Sequence, residues 1–361
     1  LPYLANENRD SYQEIYLKAV RIHEHGDVDQ LRHEEVDHPK LMSPADAIVQ
    51  LKAAALNHID IWNRRGFTGM DITLPHILGA DGAGIVAEVG AEVKSVKPGD
   101  AVCFYPPAGC GQCEFCRTDR DFMCIRLRVL GERESGTYAE YVRLPARNCF
   151  PIPSGLSFEE GAAFPLVYVT VWRMLVTNAD LKPGEHVLIL GIGGGVASAA
   201  LQIAARIGTR VIVTSSSDEK LALAKSHGAH EGINYRNADV SKEVRRLTHK
   251  RGVDVVVDCI GGDTWVQSLA ALTKGGRLVT CGATAGGNPK TDLVRIFWNN
   301  LTVFGSTMGS REEFRQVLKF METTQTKPIL DRVFPLKEAA SAQQRLEQGK
   351  QFGKIVLRIG D

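Results

Sequence analysis

Hydrophobic and polar positions follow two different rhythms along this chain. Up to about Phe150, apolar residues come in short runs broken by glycine, proline and charge. IVQLKAAAL at 48–56, AGIVAEVG at 83–90 and KPGDAVCF at 97–104 are such runs, the last a Pro-Gly turn feeding a strand. They predict β-strands and tight turns. From Glu185 the texture becomes regular. HVLILG at 186–191 is continuously apolar, as in a strand buried on both faces. A glycine cluster and the helical run VASAALQIAARIG follow. Then come TRVIVTSS, the helix DEKLALAKSHGA, a short strand around Ile233, helical SKEVRRLTHK, VDVVVDCIG, helical TWVQSLAAL, RLVTCGA and LTVFGST. Six strands separated by helices predict an α/β fold with a doubly wound, parallel, six-stranded sheet. The tail from Met308 to Asp361 reads as one helix and a final strand, KIVLRI. Residues 1–16 are polar and weakly patterned and read as an N-terminal extension. There is no internal repeat.

Composition narrows the function classes. A chain of 361 residues suggests two domains, and 44% hydrophobic with 24% charged residues fits a soluble globular protein. A net charge of +1 gives no global field for nucleic acid or an anionic membrane. The longest apolar stretch, Ala162 to Trp172, is interrupted by Pro165 and is too short to span a bilayer. No secretory leader is visible. A cytoplasmic location is expected.

The densest chemistry lies in CGQCEFCRTDRDFMC. Cys110, Cys113, Cys116 and Cys124 have the spacing C-x2-C-x2-C-x7-C. Four thiolates on a short loop can close a tetrahedron around Zn²⁺ with no open position, which marks a structural rather than a catalytic site. A disulfide cluster is the alternative, and tightly spaced quartets in intracellular chains favour the metal. Of the other four cysteines, Cys259 and Cys281 lie in apolar strand-like runs and are expected to be plain buried thiols.

The turn after the first regular strand reads LGIGGGVASAA. Gly191, Gly194 and Ala197 form G-x-x-G-x-x-A between strand and helix. Small residues there let the backbone approach a pyrophosphate, which rests on the helix N-terminus. The second strand ends in VIVTSSSDEK, with Ser215, Ser216 and Ser217 where an NAD site would carry an acid for the ribose 2′-OH. Three hydroxyls with Lys220 one turn on suit a 2′-phosphate, so NADP(H) is expected over NAD. The serines would also cap a helix well.

Together these features resemble the medium-chain dehydrogenase/reductase superfamily. The resemblance runs from about Leu17 to the end, through AALNHIDIWNRRG (54–66), LGADGAGIVAEVG (78–90), KPGD (97–100), the cysteine loop, GTYAEYV (136–142), the glycine turn and FGKIVL (352–357). It implies a GroES-like catalytic domain at 17–165 and 307–361, with a Rossmann dinucleotide-binding domain at 166–306 and the active site between them. Alcohol dehydrogenases of this superfamily hold a catalytic zinc with a Cys, a His-Glu pair and a further Cys or Asp. Here those positions fall on Asn57, on Ala80 and Asp81, and near Leu166. One carboxylate does not hold a zinc that needs three protein ligands. LNHID at 56–60 instead resembles the quinone oxidoreductase branch, which lacks catalytic zinc and uses NADPH, although that branch normally lacks the cysteine loop.

By this resemblance Asn57, Asp60 and Trp62 are candidate catalytic residues, with Phe67 a further wall of an apolar pocket. His58, Thr170, Gly191, Gly194, Gly195, Val196, Ser215, Ser216, Ser217, Lys220, Tyr235, Cys281, Gly282 and Lys354 are candidate cofactor-binding residues. Tyr105 and Tyr168 are considered as a general acid. The expected partner is a small carbonyl or quinone substrate, with one structural zinc per chain. A homodimer or homotetramer is expected, paired through the edge strand in LTVFGST. The expected activity is hydride transfer from NADPH to a quinone or α,β-unsaturated carbonyl. A zinc-dependent alcohol dehydrogenase and a non-catalytic, crystallin-like NADPH binder are the alternatives.

Overall fold

The computed structural model describes residues 16–66 and 72–360. Phe67 and nearly all of the N-terminal extension lie outside the described residues. Tyr16 is not part of that extension. It opens the strand Tyr16–Ile22, which pairs antiparallel with Arg32–Asp37.

Two sheets carry the architecture. The parallel sheet has the order Glu231–Asn234, Arg210–Ser215, His186–Ile189, Val253–Val257, Leu272–Thr280, Thr302–Gly305. Numbered along the chain this is 3-2-1-4-5-6, and every neighbouring pair is parallel. The β-branched run Val253–Val257 is buried throughout, because helices cover both faces of such a sheet. The second sheet, of seven strands, is built around Asp46–Ala55. This strand pairs with Asp81–Val89 on one side and with Lys354–Arg358, from the far end of the chain, on the other.

Helix Pro165–Trp172 joins the sheets. Its sequence, PLVYVTVW, is apolar all round, as burial on every side requires. Pro165 stands at its first turn, where a missing N–H costs nothing. The helix packs on Gly195–Ile207 and on Arg311–Thr324. One core cluster therefore contains Ala53 and Ala83 of the second sheet together with Val187 and Val255 of the parallel sheet. Phe164 stacks on Phe314 within it, with centroids 6.0 Å apart.

The tail differs from its expectation. It holds two α-helices, Arg311–Thr324 and Ala339–Glu347, and two strands, Leu330–Pro335 and Lys354–Arg358. Leu330–Pro335 is only partly buried and alternates weakly, so its pattern does not stand out from a loop. A further short helix, Leu293–Trp298, precedes the edge strand and buries none of its residues. Among the described residues no helix is long and apolar enough to cross a membrane.

Candidate functional site

Two places concentrate chemistry: the cysteine loop and a cleft of 580 Å³ at the carboxyl ends of the parallel strands. A second hollow, of 760 Å³, lies beside Cys110. Four of its charged residues, Arg128, Glu134, Arg143 and Asp46, pair with one another, and neither the glycine turn nor Asn57 is on its wall.

In the loop, the Sγ atoms of Cys110, Cys113, Cys116 and Cys124 all lie within 4.8 Å of one another. Cys110 and Cys116 are 4.0 Å apart, Cys113 and Cys124 3.8 Å. Sulfurs about 2.3 Å from one ion in a tetrahedron would be separated by nearly this much. Backbone N–H groups of Cys110 and Arg126 donate to the Cys124 sulfur, and that of Gln112 to Cys110. Such bonds favour thiolates: the N–H groups of Gln112 and Cys113 hold Cys110 down to about 5. Burial and the neighbouring thiols push Cys116 up to about 12, so it is the sulfur that most needs a cation to ionise. The loop fits a zinc ion held by these four residues, with no ligand position left for substrate.

The cleft forms around the glycine turn. Gly191 and Gly193 have φ of +66° and +124°, and a Cβ on Gly193 would lie 2.9 Å from the Gln351 carbonyl oxygen. Gly194 has nothing nearer than 3.9 Å to a Cβ, leaving open space in front of the helix. Helix Gly195–Ile207 starts there without a side-chain cap. Its first-turn N–H groups have no intrahelical acceptor, so an anion is favoured. This cradle fits a dinucleotide pyrophosphate. Gly191, Gly194, Gly195 and Val196 all face the cleft.

At one end Ser215, Ser216, Lys220 and Tyr235 line the wall together. Ser217 does not. Its hydroxyl accepts from the Lys220 N–H and caps helix Asp218–Ser226. Lys220 Nζ donates to the Gly349 carbonyl at 2.6 Å, and burial lowers its pKa. Cys281 and Gly282, candidate cofactor contacts by sequence, line the cleft. Cys259 lines it too, so neither cysteine is a plain core thiol. The hydrogen bond that the Cys281 S–H donates to Cys259, with burial, holds the Cys281 thiol well above its usual range.

The other end holds the positions where a catalytic metal would be ligated. Three of them, Asn57, Asp81 and the Leu166 backbone, are joined by hydrogen bonds. Asn57 Nδ2 donates to Asp81 Oδ2 at 2.9 Å, and the Leu166 backbone N–H donates to Asp81 Oδ1 at 2.9 Å. Lys354 Nζ donates to Asn57 Oδ1 at 2.6 Å and to Asp81 Oδ2 at 3.2 Å. Lys354 is 3% exposed and Asp81 fully buried. An amide oxygen and one carboxylate, both bonded to an ammonium, do not fit a zinc ion. Lys354 enters sequence reasoning only as a cofactor contact. Its partners lie 297 and 273 residues away along the chain, beyond the reach of any local pattern.

Around this cluster, His58, Trp62 and Thr170 line the cleft. His58 opens onto it, yet the crowd of protein atoms and then the Lys354 charge lower the pKa of its imidazole. Thr170 Oγ1 donates to the Leu166 carbonyl at 2.7 Å. Asp60, a candidate catalytic residue by sequence, is fully buried and not on the cleft wall. Its Oδ2 accepts from the Asn57 N–H at 2.8 Å and from Tyr138 Oη at 3.0 Å, and burial raises its carboxyl to about 7. Asp60 fixes Asn57 from behind. Tyr105 bonds Gly309 and Asp121, and Tyr168 bonds Gln202. Both hydroxyls lie off the cleft wall, and burial raises both pKa values.

Comparison with known proteins places the whole assembly. Residues 43–154 match the alcohol dehydrogenase GroES-like domain, and residues 195–323 the zinc-binding dehydrogenase domain. A zinc-type alcohol dehydrogenase-like protein of Schizosaccharomyces pombe is 35% identical over 356 residues, covering 94% of this chain and 99% of the relative. An NAD-dependent alcohol dehydrogenase of Sulfolobus acidocaldarius is 34% identical, with 95% and 100% covered. A quinone oxidoreductase of Pongo abelii is 27% identical, with 95% and 98% covered. The crystal structure of an NAD-dependent alcohol dehydrogenase superposes with a TM-score of 0.91 at 42% identity, covering 95% of this chain and all of the other. Crotonyl-CoA carboxylase/reductase in complex with NADP gives 0.88 at 26% identity, with 95% of each chain covered. With both halves of the pattern matched over nearly its full length, the chain belongs to the zinc-type alcohol dehydrogenase family of the medium-chain dehydrogenase/reductase superfamily and is a medium-chain oxidoreductase.

Proposed function

We propose that this oxidoreductase reduces quinones or α,β-unsaturated carbonyls with NADPH and uses no catalytic zinc. The observation that supports this most is the buried Lys354–Asn57–Asp81 cluster, which ties up the side chains a metal would need. Without a Lewis acid, alcohol oxidation lacks its means of stabilising an alkoxide. Reduction of a conjugated carbonyl needs only hydrogen bonds to an enolate or quinol oxygen.

In this reading residues 17–165 and 307–361 form the catalytic lobe and 166–306 the nucleotide lobe. When bound, the nicotinamide supplies the hydride. The chain's own residues bind and orient. The first turn of helix Gly195–Ile207 holds the pyrophosphate, and Ser215, Ser216, Lys220 and Tyr235 surround the 2′-phosphate. Trp62, Leu166 and Thr170 wall the reacting end and limit water. Cys110, Cys113, Cys116 and Cys124 would hold one structural zinc that keeps the loop folded, remote from hydride transfer.

A zinc-dependent alcohol dehydrogenase using NAD is the second reading, favoured by the names of the relatives. A panel of quinones, enones, aldehydes and alcohols with both coenzymes, alongside zinc analysis, separates the two. Reduction of enones or quinones with NADPH at one zinc per chain supports the reductase. Alcohol oxidation with NAD at two zincs per chain supports the dehydrogenase. Binding of NADPH without turnover would leave a crystallin-like binder.

A homodimer or dimer of dimers is part of the same reading. Among the described residues the edge strand Thr302–Gly305 has no neighbour on its outer side. Beside it Leu293, Val294, Phe297, Trp298 and Val303 are exposed. An open apolar edge calls for a second copy. Light scattering should give at least twice the chain mass, with Val303→Lys shifting it toward the monomer.

A further inference from the structure

We infer that the ammonium of Lys354 is the hydrogen-bond donor that stabilises the negative oxygen formed on the substrate, a step that rests on the reductase reading above. An ammonium has three N–H groups. Two are used, on Asn57 Oδ1 and Asp81 Oδ2. The third has no acceptor among the described residues, and Lys354 stands on the cleft wall beside Asn57, Leu166 and Thr170. The bond to Asp81, at 3.2 Å, is longer than the 2.7–2.9 Å or so usual for a close charged pair. Asp81 divides its charge among Lys354, Asn57 and the Leu166 N–H, so the cation is held but not cancelled.

The ammonium is also preorganised. Gly353 N donates to the Gly193 carbonyl at 3.0 Å, and Lys354 N to Ile329 at 2.8 Å, which fixes the backbone on either side. The aliphatic stem runs over the start of the nucleotide helix, where a Cβ on Gly195 would lie 2.9 Å from Lys354 Cδ. A fixed donor in a buried site acts on developing charge without having to reorganise. Several competing groups are committed: Thr170 bonds Leu166, Tyr105 and Tyr168 lie off the cleft wall, and Asp60 is behind Asn57. His58 also opens onto the cleft, but burial and the Lys354 charge disfavour its cationic form.

The step balances without a metal. Hydride adds to the β-carbon of the enone, the C=C pair shifts to join the α-carbon to the carbonyl carbon, and the carbonyl π pair moves to oxygen. Lys354 donates a hydrogen bond to that oxygen and keeps its proton. Water in the cleft then protonates the α-carbon and restores C=O, and the hydroxide left behind takes a proton from solvent. One NADPH and one proton are consumed.

The test uses the full zinc-loaded protein and the variants Lys354→Met, Lys354→Arg and Lys354→Met/Asp81→Asn. The double variant removes both charges, so it separates loss of the cation from misfolding around an orphaned carboxylate. With an alkenal and 1,4-naphthoquinone, Lys354→Met and the double variant should lose about 10²–10³-fold in kcat, and Lys354→Arg should recover part of it. The NADPH dissociation constant and zinc content should stay unchanged. A second readout does not require turnover. In the NADP⁺ complex, 4-nitrophenol should bind as its anion at a pH where the free phenol is mostly neutral, and both methionine variants should abolish that yellow species. Equal anion fractions with and without Lys354, or no phenolate binding by the unmodified protein, would overturn the assignment. So would variants that lose NADPH affinity while keeping kcat, because Lys354 would then be a coenzyme contact. If the unmodified protein reduces neither substrate class yet shows Lys354-dependent phenolate binding, the reductase reading fails and the cation assignment stands.

Discussion

In the loop at Cys110–Cys124, four sulfurs lie within 4.8 Å of one another and backbone N–H groups point at them. In the cleft, the side chains of Asn57 and Asp81 are bonded to each other and to an ammonium. The first arrangement is electrostatically unfinished until a dication arrives. The second already carries its positive charge on Lys354. Under the proposed reading one chain balances the charge of two polar clusters in two ways, with a metal at the first and a side chain at the second. The first solution suits a loop too polar to hold itself together. The second suits the proposed reduction, which needs a donor and not a coordination vacancy.

The loop offers the largest break in this contrast. Cys113→Ser or Cys124→Ser should reduce zinc from one per chain to none, while Lys354→Met leaves it at one. Elemental analysis reads both. With free zinc a thousandfold above its dissociation constant, the metal contributes about 4 kcal/mol, which chelation should remove in a thermal melt. The next effect is on the cleft side. Lys354→Met strands Asp81 as a buried charge and should cost about 3–4 kcal/mol in urea unfolding. Adding Asp81→Asn should recover most of that.

Asp60 sharpens the contrast through pH. Its carboxyl, raised to about 7 when folded against an ordinary 3.8, binds its proton more tightly in the native state. Its contribution to stability is therefore full below about 4 and is lost as pH rises through about 7, each tenfold gain in proton affinity being worth about 1.4 kcal/mol. The difference in unfolding free energy between Asp60→Asn and the unmodified protein should change across that window by up to a few kcal/mol. A flat difference would show that Asp60 does not titrate there. The smallest effect is on the coenzyme. Lys220→Ala should raise the NADPH dissociation constant about 10–100-fold and leave NADH within about twofold, measured by fluorescence titration.

What could be read in the sequence divides by distance along the chain. The cysteine quartet sits within 15 residues, and the glycine turn with its flanking strand and helix within about 20. Both are legible because spacing alone brings their atoms together. The six-stranded sheet is legible for the same reason, since each strand and helix announces its own period. Asn57, Ala80, Asp81 and Leu166 show which ligand types of the family are replaced, but not the cation beside them, because Lys354 arrives from far along the chain. Asp60 looks catalytic from its place in LNHID. Only its burial and the bonds from Asn57 and Tyr138 reveal a positioning role. Ser217 carries the same hydroxyl as Ser215, and a helix cap separates them. Leu330–Pro335 escapes because a half-buried strand shows little alternation.

The strand Lys354–Arg358 ties the two ends of the cleft together. It supplies Lys354, its Ile355 carbonyl accepts from the Leu56 N–H next to Asn57, and its neighbour Gly353 binds the glycine turn. Along the sequence this strand follows every other described strand of both sheets. A proteolytic cut just before Lys354 would leave all six strands of the parallel sheet in place and remove the counter-charge of Asp81. Loss of this one strand should therefore part the nucleotide cradle from the charged end of the cleft.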